Sequence, residues 1–197
     1  MTAKDFFDLE KKLISLGHDS DLDSFAVIKE RLKTKAPLSA DEFARQAIYV
    51  VLAGGFSQKT AKKIHREVMD FLKEQVAGSK EQLFDSLIKI FNNKNKINAI
   101  VKLWADRNKF RDGYYRLSGV GEKLEYLASL PHIGKITRNH LARNLGEDVF
   151  KRDVWIERLL IKFGGDLLER LSRETGLPVG YVDVILWKSC QVGLIDL

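Results

Sequence analysis

The stretch LPHIGKITRNHLARNLGEDVFKRDVWIERL, residues 130–159, decides how the rest of the chain is read. Leu130 closes one run at helical period and Thr137 lies early in the next, so PHIGKI is the whole connection between them. Helices joined by so short a link must be close neighbours in a hairpin. Pro131 stops the first helix, and Ile133 is placed to plug the angle between the two. Gly134 permits a positive φ and the close approach of another molecule's backbone. The amides of Gly134, Lys135 and Ile136 would then sit unpaired at the start of the next helix, where the partial positive charge of the helix end adds to them and makes a seat for a phosphate. Lys135, Arg138 and Arg143 are expected to surround that seat with cations and to make binding salt-dependent. A corner whose glycine serves packing alone is the alternative, and the corner by itself does not choose between them.

Outward from this stretch nearly every segment keeps helical period. The first helix is expected over about 4–16, ending at Gly17, and a second in DSFAVIKERLK. LSADEFARQAIYVVLAGG opens with the spacing of a capping box, Ser39 three residues before Glu42, and is stopped by Gly54 and Gly55. A helix over 57–76 follows, with Ser57 as its cap and Ile64, Val68, Phe71 and Leu72 on one face. SKEQLFDSLIKIF and NNKNKINAIVKLWADRNKF read as the next two, DGYYRLSGVG as a loop, and EKLEYLASL as the helix that enters the hairpin. DVWIERLLIKFGG, DLLERLSRETG and PVGYVDVILWKSCQVGLI complete the chain, the last with proline at its start, where the missing N–H costs nothing.

The expected fold is therefore all-α, about ten helices in a two-lobed bundle with the helix-hairpin-helix between the lobes. The expected organisation is N-terminal helices over 1–38, a helical lobe over 39–130, the hairpin over 127–146, and C-terminal helices over 147–197 that pack with the N-terminal ones.

The chain of 197 residues carries 33 Lys and Arg against 27 Asp and Glu, a net charge of +6 that favours a polyanionic partner without naming it. The one cysteine, Cys190, excludes an internal disulfide, a four-cysteine zinc site and a four-cysteine iron–sulfur cluster. His18, His65 and His140 share no metal-ligand spacing with one another or with Cys190, so no metal site and no cofactor are expected. No apolar run reaches the roughly 18 residues of a membrane span, and a cytoplasmic monomer is expected.

Leu130, Pro131, Ile133, Gly134 and Thr137, followed by Asp153, Val154, Trp155 and Ile156, resemble the signature of the helix-hairpin-helix DNA glycosylase superfamily: a hairpin L-P-G-[IV]-G-x-x-T, then an aspartate leading into a helix. His132 stands where the pattern has its first glycine. The run GKITRNHLARNLG is similar to archaeal-type 8-oxoguanine glycosylases, whose second helix also ends R-N-hydrophobic-G. The resemblance implies double-stranded DNA containing a damaged base as partner, and base-excision repair by base flipping as the activity. It implies Asp153 as the catalytic carboxylate, and His132, Gly134, Lys135, Ile136, Thr137 and Arg138 as the DNA contacts.

Bifunctional members of that family carry a lysine two residues after the second hairpin glycine, which attacks the sugar and leads to strand cleavage. Here that position is Ile136, and Lys135 is turned from it by about 100° on a helix. The expectation is a monofunctional, hydrolytic enzyme. A glycosylase/lyase using Lys135 or Lys151 is the alternative within enzymes, and a non-catalytic helix-hairpin-helix DNA-binding protein the alternative outside them.

The chemistry fits an aspartate, because cleaving an N-glycosidic bond builds oxocarbenium character on the sugar, which a nearby carboxylate stabilises while orienting a water. An ordinary N-cap is the structural alternative for Asp153, since Asp is among the preferred cap residues. A base inside a duplex must be turned out, which calls for a pocket and for a residue to fill the hole. Phe56 and Gln58 lie in the loop where relatives place a wedge, and Trp155, Tyr181 and Trp187 are candidates for the pocket, with Trp187 and Trp104 also on apolar stripes. Lys94, Lys96, Lys102, Arg107, Lys109, Arg111 and Arg116 form a basic region before the hairpin that either carries flanking phosphates or is a solvated face.

Overall fold

The computed structural model describes residues 1–75 and 79–197. Among them are twelve α-helices and no strand, the only ladder-type contact being an isolated bridge between Ser20 and Ser24. The all-α expectation holds. The helices are α1 (Ala3–Ser15), α2 (Phe25–Thr34), α3 (Ala40–Ala53), α4 (Gln58–Glu74), α5 (Lys80–Ile90), α6 (Lys94–Ala105), α7 (Arg107–Tyr115), α8 (Val120–Ala128), α9 (Thr137–Asn144), α10 (Val154–Phe163), α11 (Leu167–Thr175) and α12 (Val179–Gln191). Val76, the expected end of the fourth helix, lies outside the described residues.

The chain divides into two compact units, one of residues 37–141 and one of residues 1–36 with 142–197. In the first, α3 is the central element: Phe43, Ala44 and the run Gln46–Leu52 are buried, and α4, α6 and α7 pack on it. That is why AIYVVLA, β-branched as it is, forms a helix: an all-round apolar segment satisfies its own backbone hydrogen bonds before it is buried. In the second, α12 plays the same part, buried from Gly180 to Leu186 and from Lys188 to Cys190, with α1, α2, α10 and α11 against it. Their apolar faces, among them Phe6, Leu13, Ile28, Leu32, Leu159 and Leu171, close one core around it.

Two local expectations are corrected. The segment expected as one helix over 92–110 followed by a loop over 112–121 is instead α6 and α7, broken at Asp106, with α7 running into the supposed loop as far as Tyr115. Gly113, inside that stretch, is a packing residue. A Cβ there would lie 2.3 Å from the hydroxyl of Tyr126, whose ring lies across α7 and donates to the Phe110 carbonyl at 3.1 Å. The capping box at Ser39 is half formed. The Ser39 hydroxyl accepts from the Glu42 amide at 3.2 Å, but the Glu42 carboxylate accepts from Arg45 and Gln46 on its own helix. Complete boxes occur instead at Thr2 with Asp5 and at Ser79 with Gln82. No helix among the described residues is long and apolar enough to cross a membrane.

At the start of α12 a Cβ on Gly180 would meet the Val149 carbonyl oxygen at 2.9 Å and Arg143 Cγ at 3.1 Å. Because one of these neighbours is backbone and cannot swing away, Gly180→Ala is expected to destabilise the protein by about 1–3 kcal/mol, the usual range for overpacking, measured by urea unfolding.

Candidate nucleic-acid interface and catalytic carboxylate

The hairpin forms between α8 and α9. Ile133 donates to the Leu130 carbonyl at 3.1 Å and is buried, so it closes the corner as expected. The positive φ, however, falls on His132 (+62°) and not on Gly134. A side chain at Gly134 would meet nothing nearer than Thr137 Oγ1 at 3.9 Å, so internal packing does not demand a glycine there. The open face over Gly134 is what a backbone approaching from outside would use.

The amides also differ from expectation. The Gly134 N–H donates to Thr137 Oγ1 at 2.8 Å, and that hydroxyl lies 3.2 Å from the Gly134 carbonyl, to which it can donate. The Gly134 carbonyl also takes the Arg138 amide at 2.9 Å, a helical bond one turn ahead of α9. Thr137 therefore locks the corner, and the donors left at the positive end of the helix are the amides of Lys135 and Ile136, both on exposed residues. Ile136 is 60% exposed.

The expected ring of cations is thinner than the sequence suggests. Lys135 is exposed, but Arg138 is paired with Glu125 at 2.5 Å. Arg143 is buried and does not face solvent at all: Nη2 lies 2.9 Å from Asp21 and Nη1 2.8 Å from Asp183. In the basic region Lys96 is buried, Arg107 pairs with Asp41 and stacks 4.4 Å over Trp104, and Arg111 donates to Asp112 and to the Leu38 carbonyl. Lys94, Lys102, Lys109 and Arg116 remain as exposed cations of that set.

Asp153 is the N-cap of α10. Its Oδ1 accepts from the amides of Trp155 at 3.0 Å and Ile156 at 3.2 Å, and its Oδ2 lies 2.9 Å from Lys151 Nζ. The side chain is 14% exposed, so the carboxylate is held on two sides but not sealed off. Behind it, Asp183 of α12 accepts the Lys151 amide at 3.3 Å as well as Arg143. Burial pushes the Asp183 carboxyl up to about 6 against the pull of the Arg143 guanidinium, and burial with the nearby Asp153 charge pushes the Cys190 thiol up to about 12. Cys190 is therefore a thiol packed in the core at neutral pH.

The aromatic candidates separate. Phe56 is 40% exposed and stands edge-to-face with Phe91 at 5.7 Å. Gln58 opens α4 and is half-buried. Trp155 is half-buried beside Asp153, with the Arg158 guanidinium 5.7 Å over its ring. Trp187 packs against the core around α12, and Tyr181 lies within it, its hydroxyl donating to Glu10 and its ring edge-on to Phe25. A ring so enclosed presents no face for a base to stack on, so Tyr181 is corrected to a core residue. Among the described residues no group of three or more His, Cys, Asp or Glu is placed to hold a metal ion.

No protein-family model and no curated protein matches this chain. Solved structures do. The Methanocaldococcus jannaschii 8-oxoguanine glycosylase/lyase in complex with a 15mer DNA containing 8-oxoguanine has a TM-score of 0.68 at 18% identity, covering 94% of this chain and 96% of that one. The 8-oxoguanine DNA glycosylase of Methanocaldococcus jannaschii gives 0.70 at 18%, with 97% and 94% covered, and that of Thermotoga maritima gives 0.67 at 15%, with 99% and 98% covered.

The chain shares the fold of these three structures. Coverage from end to end means that both units, and not the hairpin alone, share this fold. One residue of consequence escaped the sequence reading, Asp183, an acid flanked on both sides by apolar residues in VGYVDVILW, and Lys96, expected in the basic region, is buried instead. A lone charge inside an all-apolar helix signals a buried partner, and that signal was legible at Asp183.

Two outcomes follow for this region. His132→Gly removes a side chain from the left-handed region and is expected to stabilise the protein by roughly 1 kcal/mol, read as a higher urea midpoint. For Asp183 the folded value lies above the 3.8 of the free side chain, so between about pH 4 and 6 the folded chain holds a proton that the unfolded chain releases. Its contribution to stability is thus greatest below that window and is lost as pH rises through it. Compared with Asp183→Asn across this range, the wild type is expected to lose relative stability as the pH is raised.

Proposed function

We propose that this chain is a DNA glycosylase that cleaves the N-glycosidic bond of a damaged base in double-stranded DNA, with Asp153 as the essential carboxylate. The observation that carries the reading is the setting of Asp153: a carboxylate fixed by two helix amides and one lysine, still partly open, in a chain with the fold of three 8-oxoguanine glycosylase structures. An anion held in that way loses little entropy on meeting a developing oxocarbenium ion and is placed to orient the attacking water.

The amides of Lys135 and Ile136 take a backbone phosphate oxygen, and Lys135 adds its charge from beside them. Gly134, with the left-handed corner at His132, lets the phosphate come close. Thr137 keeps the corner in shape, and Arg138 adds charge to the extent that DNA displaces Glu125. Phe56 fills the space left by the everted base, with Gln58 next to it, and Trp155 offers a ring beside the carboxylate. An oxidised purine is the lesion class to test first, because the structures that share this fold are named 8-oxoguanine glycosylases and one of them holds 8-oxoguanine DNA.

With Ile136 in the place of the family's attacking lysine, the reaction is hydrolytic. One observation favours a second reading. Lys151 Nζ is 2.9 Å from Asp153, so this amine, after passing a proton to the carboxylate, would be placed to add to the sugar as the base leaves. Borohydride trapping on lesion-containing duplex separates the two, since only an imine with the sugar becomes covalently fixed. The hydrolytic reading expects no trapped complex.

Asp153→Asn keeps an N-cap side chain and so leaves the fold in place. It is expected to lower base release on an 8-oxoguanine duplex at least about a hundredfold, assayed by strand scission in hot alkali, while DNA binding is kept or tightened. Turnover at the wild-type rate in this variant would remove Asp153 from the mechanism.

A further inference from the structure

The corner that follows α3 is closed by a buried cation. Lys96, in the first turn of α6, is 7% exposed, and its ammonium donates to the carbonyls of Gly54 at 2.5 Å and Leu52 at 3.4 Å. The same ammonium lies 4.8 Å from the centroid of the Phe56 ring. Burial lowers its proton affinity below that of a free lysine, the mark of a charge kept out of water at a cost.

Many helices are finished by backbone alone, a glycine in the left-handed region donating its own N–H to the last carbonyls. Gly55 is left-handed here (φ +83°), yet Gly54 is extended (φ −63°, ψ 112°), and the amide that returns to the helix is that of Phe56, reaching the Ala53 carbonyl at a long 3.4 Å. A buried cation replaces the missing bonds. What the arrangement achieves, beyond ending the helix, is the outward presentation of Phe56. That ring is pinned by the cation on one side and by the edge-to-face contact with Phe91 on another, while 40% of the residue stays exposed.

We infer that Lys96 is a positioning residue for Phe56: it holds the Gly54–Phe56 corner rigid so that the Phe56 ring enters the base stack as the damaged nucleotide turns out. This rests on the glycosylase reading for its setting, but it concerns entry into the duplex and not bond cleavage. A loose corner would still touch DNA through the hairpin. It would fail to drive the ring between bases, because the ordering of the ring would have to be supplied at the moment of insertion.

The test uses the full chain and duplexes carrying 2-aminopurine beside 8-oxoguanine or beside an abasic site, whose fluorescence rises when its neighbours unstack. Lys96→Met keeps most of the apolar stem and removes the ammonium. Gly55→Ala, whose Cβ would meet nothing within 4 Å, disturbs the corner by its backbone alone and guards against misfolding of the first variant. Phe56→Ala removes the ring.

In the wild type, fluorescence is expected to rise on binding. In all three variants most of that rise is expected to vanish while affinity for the duplex stays within about threefold, and Lys96→Met combined with Phe56→Ala should be no worse than either alone. A purely structural lysine would lower the melting temperature and leave the fluorescence change intact, and that outcome overturns the inference. So does a wild type that gives no fluorescence change on any duplex. Fluorescence that rises without release of any base leaves the inference standing and removes the glycosylase reading instead.

Discussion

A guanidinium buried between two carboxylates organises the unit that carries Asp153. Arg143 lies at the end of α9 and bridges Asp21, in the link between α1 and α2, to Asp183 in the middle of α12, with all three side chains at most 3% exposed. Such a cluster is weak evidence for net stability, since desolvating three charges offsets much of their attraction. Its consequence is one of placement. Leaving any of the three charges unpaired in the core is costly, so three segments remote in sequence have one low-energy arrangement. From that arrangement the remaining oxygen capacity of Asp183 takes the Lys151 amide, Lys151 turns its ammonium onto Asp153, and Asp153 receives the first amides of α10. Asp148 belongs to the same segment and accepts from the Gly180 amide at 2.9 Å, fixing the start of α12.

The unit that carries the hairpin uses a buried cation in a different way. The partners of Lys96 among the described residues are carbonyls at the C-terminal end of α3, where the helix dipole is negative. In both units, then, a charge taken out of water determines the path of a loop, and the loop carries the residue proposed to meet the DNA. Ion placement and core packing act together here. The central helices α3 and α12 supply rigid apolar axes, and the buried charges fix what hangs from their ends.

The hairpin follows another logic. Its shape comes from Ile133 in the core, Thr137 locking the Gly134 peptide, and a histidine in a conformation that glycine adopts more easily. A non-glycine residue in the left-handed region stores strain of about 1 kcal/mol, which the surrounding corner must hold. The strain lies in the same corner as the exposed Lys135 and Ile136, the residues proposed to take a phosphate.

Much of the fold was legible because it rests on interactions three or four residues apart. Helical period, the caps at Ser39 and Ser57, the stop at Gly54 and Gly55, and the corner from Leu130 to Thr137 are local features, and a linear sequence records them directly. Asp153 was legible in the same way, as an acid at the mouth of a helix. The places where the reading failed depend on partners far along the chain. Arg143 reads as a phosphate-facing cation until Asp21, 122 residues away, is brought against it, and Lys96 reads as part of a basic surface until the end of α3 covers it. The stretch from Asp112 reads as a loop until Tyr126 packs across Gly113 and α7 continues through it. Sequence alone thus determined most of the helical segments and the stops that rest on local caps and glycines, though not the break between α6 and α7. Tertiary structure decided which charges remain free for a partner, because the desolvation and pairing of a charge depend on what surrounds it in space and not on its neighbours in the chain.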